Sequence, residues 1–189
     1  MGGLREAMPT TFITYAVGMM ALAGVPVFFS GFWSKDEILH VSLEWPISKV
    51  PFLLGIFGAF LTAFYMTRQM IYVFFGKSRL EKPAHESPSV MTTPLVVLAA
   101  CAVLIGFLGT PAWPWLHSYM TSQEGHGGIG SLFAPAFLGL AMLSTLVVGA
   151  GIACGWYLYQ RIPTERDPLE TRFPELFVAL RERFWIDEV

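Results

Sequence analysis

The stretch GVPVFFSGFWSKDEIL, residues 24–39, interrupts an apolar run and then delivers Lys35, Asp36 and Glu37 in succession. The apolar character extends on both sides of it, from about Thr10 to Leu43. A straight helix of that length would measure about 50 Å, against a hydrocarbon core of about 30 Å. The break signals say where the excess is absorbed. Pro26 has no amide hydrogen, and its ring collides with the carbonyl four residues back, at Leu22. Gly24 and Gly31 lower the cost of non-helical backbone, and Ser30 is able to hydrogen-bond a carbonyl that the break sets free. Irregular backbone at membrane depth is tolerated only where it is buried in protein or lines a hydrated cavity. A packing kink would account for the proline and glycines alone, but not for the charges that follow.

Those charges carry the functional argument. From Lys35 to Pro46 is about 16 Å of helix, half the membrane thickness, so Lys35 is expected near the midplane. A lysine there costs at least ~2.5–3.5 kcal/mol unless it is paired or hydrated, and a desolvated lysine exchanges its proton readily. Asp36 follows about 100° round the helix. His40 and Glu44 fall at successive i+4 steps from Asp36, forming one polar stripe toward the outer surface. Carboxylate, imidazole and carboxylate on a partly hydrated face are able to relay a proton. For His40 and Glu44 a plainer reading stays open, in which this end of the helix simply reaches the headgroups.

The rest of the chain supplies the setting. Of its 189 residues 54% are hydrophobic and 14% charged, well below the roughly 25% charge of a soluble domain. A net charge of −2 gives no sign of a nucleic-acid partner. Beyond the broken first span (10–43), three more segments are long and apolar enough to cross a bilayer: 51–75, 94–116 and 134–159. Together they predict an all-α bundle of about four transmembrane helices over 1–160, followed by a linker and an amphipathic helix over 161–189. Lys77, Arg79 and Lys82 lie between spans two and three, and five arginines follow span four. The 117–131 loop has neither lysine nor arginine. The positive-inside rule then puts the 76–90 loop and both chain ends on the cytoplasmic side, with Lys49 the one dissenting charge.

In the tail, Leu176, Phe177, Leu180, Phe184 and Trp185 alternate with Arg181, Glu182 and Arg183. They read either as a surface amphipathic helix or as a docking tail. Arg68, two turns inside span two, is expected to snorkel toward the headgroups. Cys101 and Cys154 have neither disulfide nor metal spacing and read as core residues. His85, His117 and His126 read as solvated loop residues. Trp113, Trp115, Tyr119, Trp156 and Tyr157 suit an interfacial belt. There is no phosphate-binding glycine loop, no CxxC pair and no nucleophile with a base, so no redox chemistry is assigned to this chain. No cleavable signal peptide is visible, and the chain reads as a piece of a longer subunit.

The strings MGGLREAMP, ALAGVPVFFSGFWSKDEIL and TAFYMTRQMIYVFFGK resemble the antiporter-like subunit L (subunit 5 in mitochondria) of proton-pumping NADH:quinone oxidoreductase. The resemblance covers most of the chain, and the chain would cover about the last third of such a subunit. It implies a proton-translocating membrane-arm subunit coupled to quinone reduction, in an enzyme of the translocase class. Lys35 and Asp36 would then lie on the proton path, with Asp36 on the side of the outer exit, and Gly24–Gly31 would be the family's helix break. The region from about Phe173 would approach a lateral helix along the membrane arm. Flavin, iron–sulfur clusters and quinone would belong to other subunits, and this chain would bind no cofactor or metal. Its partners would be other membrane-arm subunits and lipid, in a bacterial inner (plasma) membrane. His40 matches no motif of the family. A multisubunit monovalent cation/proton antiporter shares the broken helix and remains an alternative, as does a purely structural membrane scaffold.

Overall fold

The computed structural model describes residues 2–26, 28–76, 78, 84–106, 110, 113, 115, 119, 135–160, 170 and 173–182. Within these the chain is all-helical, with seven helices and no strand: α1 (Leu4–Ala7), α2 (Pro9–Ala23), α3 (Ser30–Glu44), α4 (Val50–Phe74), α5 (Ser89–Leu104), α6 (Pro135–Tyr159) and α7 (Pro174–Arg181). Proline stands at the first or second position of α2, α4, α6 and α7. There its missing N–H costs nothing and its fixed φ favours helix entry.

Among the described residues two helices are long and apolar enough to cross a bilayer, Val50–Phe74 and Phe137–Tyr159. At 25 residues α4 measures about 37 Å. The apolar helices α2 and α5 are shorter, at 15 and 16 residues. The first apolar segment is discontinuous: α2 and α3 are 15 residues each and do not run on into one another. α5 begins at Ser89, one full turn before Pro94, and ends at Leu104. Most of 107–134, including His117 and His126, lies outside the described residues, as do 161–169, Phe184 and Trp185.

The arrangement follows from which helices touch. α2 lies between α5 and α4, α4 packs along α6, and α3 sits against α2, α4, α5 and α6. The large apolar side chains mostly point outward, among them Leu53, Leu54, Leu98, Leu146 and Tyr157. Where α2, α4 and α6 meet, the buried residues are small, with Ala23, Ala63 and Val148 forming one cluster. That distribution is the one expected where lipid is the solvent. Leucine then gains nothing by moving inward, and helices associate by close approach of their backbones. Gly151 shows how close: a Cβ there would lie 2.7 Å from the Phe60 carbonyl oxygen.

A second cluster closes one end of the bundle. Leu4, Met70 and Phe74 are buried there, and the Phe12 and Phe74 rings meet edge to face at 5.3 Å. The Arg5 guanidinium lies 5.3 Å from the Phe12 ring centre and 5.6 Å from that of Phe75. The segment after α4 folds back to the same end. Glu86 accepts hydrogen bonds from the Thr10 backbone N–H and the Thr11 hydroxyl, both at 2.7 Å. The Thr11 hydroxyl, helped by the amide hydrogens, holds the Glu86 carboxyl below the usual carboxylate range.

Candidate functional site

The helix break sits where Gly24 and Pro26 place it. Gly24 adopts φ +81°, a left-handed conformation that glycine reaches without steric cost. Its N–H donates to the Ala21 carbonyl at 3.2 Å, and that of Val25 to the Met20 carbonyl at 3.0 Å, the paired bonds of a Schellman close. Pro26 follows two residues later, as a residue unable to continue the helix. The carbonyl it cannot serve, at Leu22, accepts a hydrogen bond from Lys35 Nζ. Ser30 opens α3, and the freed Leu22 carbonyl is taken by the lysine.

Gly31 makes this reach possible. A Cβ at Gly31 would lie 1.8 Å from the Ala21 carbonyl oxygen, so the first turn of α3 rests directly on the last turn of α2. Lys35 stands one turn further along α3 and arches back across the break. Its side chain passes Gly24, where a Cβ would sit 3.1 Å from the lysine Cδ.

Asp36 points elsewhere. It is buried, 3% exposed, and its Oδ1 accepts a hydrogen bond from the Ser144 hydroxyl of α6 at 3.0 Å. Beside it the Trp33 and Phe137 rings stack at 6.1 Å, with planes 6° apart, and fix α3 against α6. No ion pair joins Lys35 to Asp36. The two neighbours in sequence are therefore held by two different helices, the lysine by α2 and the aspartate by α6.

The stripe continues outward with rising exposure. His40 is half-buried and Glu44 exposed. His40 Nε2 lies 3.8 Å from Glu44 Oε1, within ion-pair reach when the imidazole is protonated but longer than a hydrogen bond. The arrangement thus offers a buried carboxyl, an imidazole and a surface carboxylate in line along one helix face. Among the described residues no group of three or more His, Cys, Asp or Glu side chains is placed to hold a metal ion.

Two further features escape a reading by pattern. Ser144 reads as one small residue in an apolar span, and its partner is 108 positions away. Arg68 has aromatic partners: its guanidinium lies 5.3 Å from the Tyr72 ring centre and 5.4 Å from that of the fully buried Tyr159. These are cation–π contacts at the α4–α6 interface. Cys101 and Cys154 are free thiols, both half-buried.

Residues 1–64, which hold the break, Lys35, Asp36 and the first half of α4, match the family described as NADH:quinone oxidoreductase/Mrp antiporter, transmembrane. The chain is 34% identical to NAD(P)H-quinone oxidoreductase chain 5 of Picosynechococcus, over 100% of this chain and 32% of that protein. It is 38% identical to NADH-quinone oxidoreductase subunit L of Mycobacterium tuberculosis, over 87% of this chain and 26% of that protein. It is 29% identical to subunit L of Neisseria meningitidis serogroup B, over 99% and 32% respectively. The chain spans about a third or less of the length of these curated relatives. It is a member of the NADH:quinone oxidoreductase/Mrp antiporter transmembrane family, and along its whole length it is similar to the relatives named subunit L or chain 5.

Proposed function

We propose that this chain forms part of a proton-translocating membrane subunit of an NADH:quinone oxidoreductase, and that protons cross it through Lys35 and Asp36. One observation carries the reading. The interruption in the first apolar segment is bridged by an ionisable side chain, Lys35 to the Leu22 carbonyl, and the next residue is a carboxyl buried at the α3–α6 contact. Buried ionisable groups at membrane depth are costly and mark ion or proton pathways.

In this reading Lys35 holds a proton as an ammonium against the Leu22 carbonyl. It releases that proton when charges elsewhere in the complex change, and remains an amine donor to the same carbonyl. Asp36 binds and releases a proton on the side leading outward, and His40 and Glu44 continue the stripe toward the surface. Electron transfer takes place on other subunits, which carry the flavin, iron–sulfur and quinone chemistry. The partners are other membrane-arm subunits and lipid, and the relatives' names support an oxidoreductase complex as the assembly.

The test is Lys35→Met in the full subunit within its complex, with proton uptake and NADH oxidation recorded together in inverted vesicles and normalised to assembled complex. Pumping per NADH is expected to fall at least tenfold while assembly persists. A scaffold role predicts the reverse, poor assembly with unchanged pumping per complex. The family description also covers Mrp antiporters. Sodium-dependent transport without NADH would favour that assignment over the oxidoreductase.

A further inference from the structure

The Ser144 hydroxyl has one hydrogen and two acceptors in reach: Asp36 Oδ1 at 3.0 Å and the Ala141 carbonyl of its own helix at 3.2 Å. Ser144 is 6% exposed and Asp36 3%, so no bulk water substitutes for either partner. A hydroxyl is both donor and acceptor and rotates to suit its surroundings. When Asp36 is ionised, the Ser144 hydrogen points to the carboxylate. When Asp36 is protonated, the carboxyl donates its own hydrogen to Ser144 Oγ, and the serine hydrogen turns to Ala141. Neither form of the carboxyl then loses its hydrogen bond. The neighbouring Thr145 hydroxyl donates to the same Ala141 carbonyl at 2.6 Å. That crowding leaves the serine hydrogen to Asp36 while the carboxyl is charged.

We propose that Ser144 is a positioning residue for proton transfer, a rotating hydroxyl that orients Asp36 toward α6 and supports the carboxyl in both its charged and its neutral form. This rests on the reading of Asp36 as part of the proton path. It adds a second helix to that path, because Ser144 lies on α6, beyond the residues that match the family description. It also explains why Asp36 faces away from Lys35. A carboxylate held on α6 does not collapse into an ion pair with the lysine beside it, so each group is free to change charge on its own.

The test compares Ser144→Ala, Ser144→Thr and Asp36→Asn in the full subunit within its complex, reading proton uptake per NADH oxidised and per assembled complex. Ser144→Ala is expected to lower pumping roughly three- to tenfold, the loss that follows removal of one hydrogen bond of ordinary strength. Ser144→Thr keeps the hydroxyl and recovers most of it. Adding Ser144→Ala to Asp36→Asn lowers pumping no further, because the serine acts through the aspartate.

A serine that only packs α3 against α6 predicts the opposite order, with the smaller alanine tolerated and the bulkier threonine damaging, and that order would overturn the proposal. Should the alanine variant fail to assemble, Ser144→Cys, nearly the same size but a weak donor, takes its place and is expected to fall below threonine. Reduced pumping in Asp36→Asn with normal pumping in Ser144→Ala defeats this inference alone. Normal pumping in Asp36→Asn defeats the role of Asp36 in the path and the inference with it.

Discussion

At Gly31 the space for a side chain is already filled by backbone. The atom a substituent would meet is the Ala21 carbonyl oxygen, at 1.8 Å, and no rotamer change relieves a clash with main chain. Gly31→Ala must therefore push α3 off the end of α2, which also draws Lys35 away from the Leu22 carbonyl. The expected cost is about 3 kcal/mol, the upper end of overpacking. It would be read as a lower midpoint in thermal unfolding of the detergent-solubilised complex, with reduced pumping. Gly18 in α2 provides the contrast, since nothing lies within 4 Å of a Cβ there. Gly18→Ala is expected to be neutral or stabilising by up to ~1 kcal/mol, because alanine loses less backbone freedom than glycine. Equal effects of the two substitutions would show that the α2–α3 contact is looser than the geometry requires.

Among the elements, α2 is held at both ends by groups outside it. Its last turn is closed by Gly24 and bridged from α3, and its first turn is bound by Glu86, whose carboxylate takes the Thr10 N–H and the Thr11 hydroxyl. The Glu86 carboxyl is held below its ordinary value of 4.5, chiefly by the Thr11 hydroxyl. A folded-state pKa below the unfolded one means that this contact contributes stability above about pH 4.5 and loses it as pH falls through the folded value. Hydrogen-exchange protection of the Thr10 amide is thus expected to hold at neutral pH and to decline below pH 4.5. In Glu86→Gln the protection should be lower at neutral pH and nearly flat with acidification. A parental profile unchanged below pH 4.5 would disprove the tether.

The same two ends show what was legible in the sequence. Proline and glycines mark a break within a run too long for the bilayer, and charges directly after it mark the site, because both signals are local. The Thr10–Glu86 bond, the Arg68–Tyr159 contact and the Ser144–Asp36 bond join residues 76, 91 and 108 positions apart. No periodicity encodes such pairs. The position of Arg68 near a helix end says nothing of Tyr159, which only the approach of α6 brings to it.

For the whole molecule, the pathway depends on how closely α6 lies against α4. Ser144 reaches Asp36 only if α6 stays at its present depth in the bundle, and that depth is set by small residues. A Cβ on Gly151 would meet the Phe60 carbonyl oxygen at 2.7 Å and the Ala63 Cβ at 2.9 Å. One turn on, a Cβ on Gly155 would meet the Thr67 Cβ at 3.0 Å. In lipid there is no hydrophobic drive to restore a contact once a larger residue wedges it open, since leucine is equally content facing the acyl chains. Gly151→Leu is therefore expected to separate α6 from α4, lower the yield of assembled complex severalfold, and reduce pumping in what remains by withdrawing Ser144 from Asp36. Gly149, two residues earlier on the exposed side of α6, has nothing within 4 Å of its Cβ position. Gly149→Leu adds the same bulk to the same helix and should assemble and pump as the parent does. Immunoblotting of the assembled complex on native gels, paired with the vesicle pumping assay, separates the two. If both leucines were tolerated alike, the close α4–α6 approach would not be what holds the aspartate in place, and the coupling between packing and proton path would have to run through α3 alone.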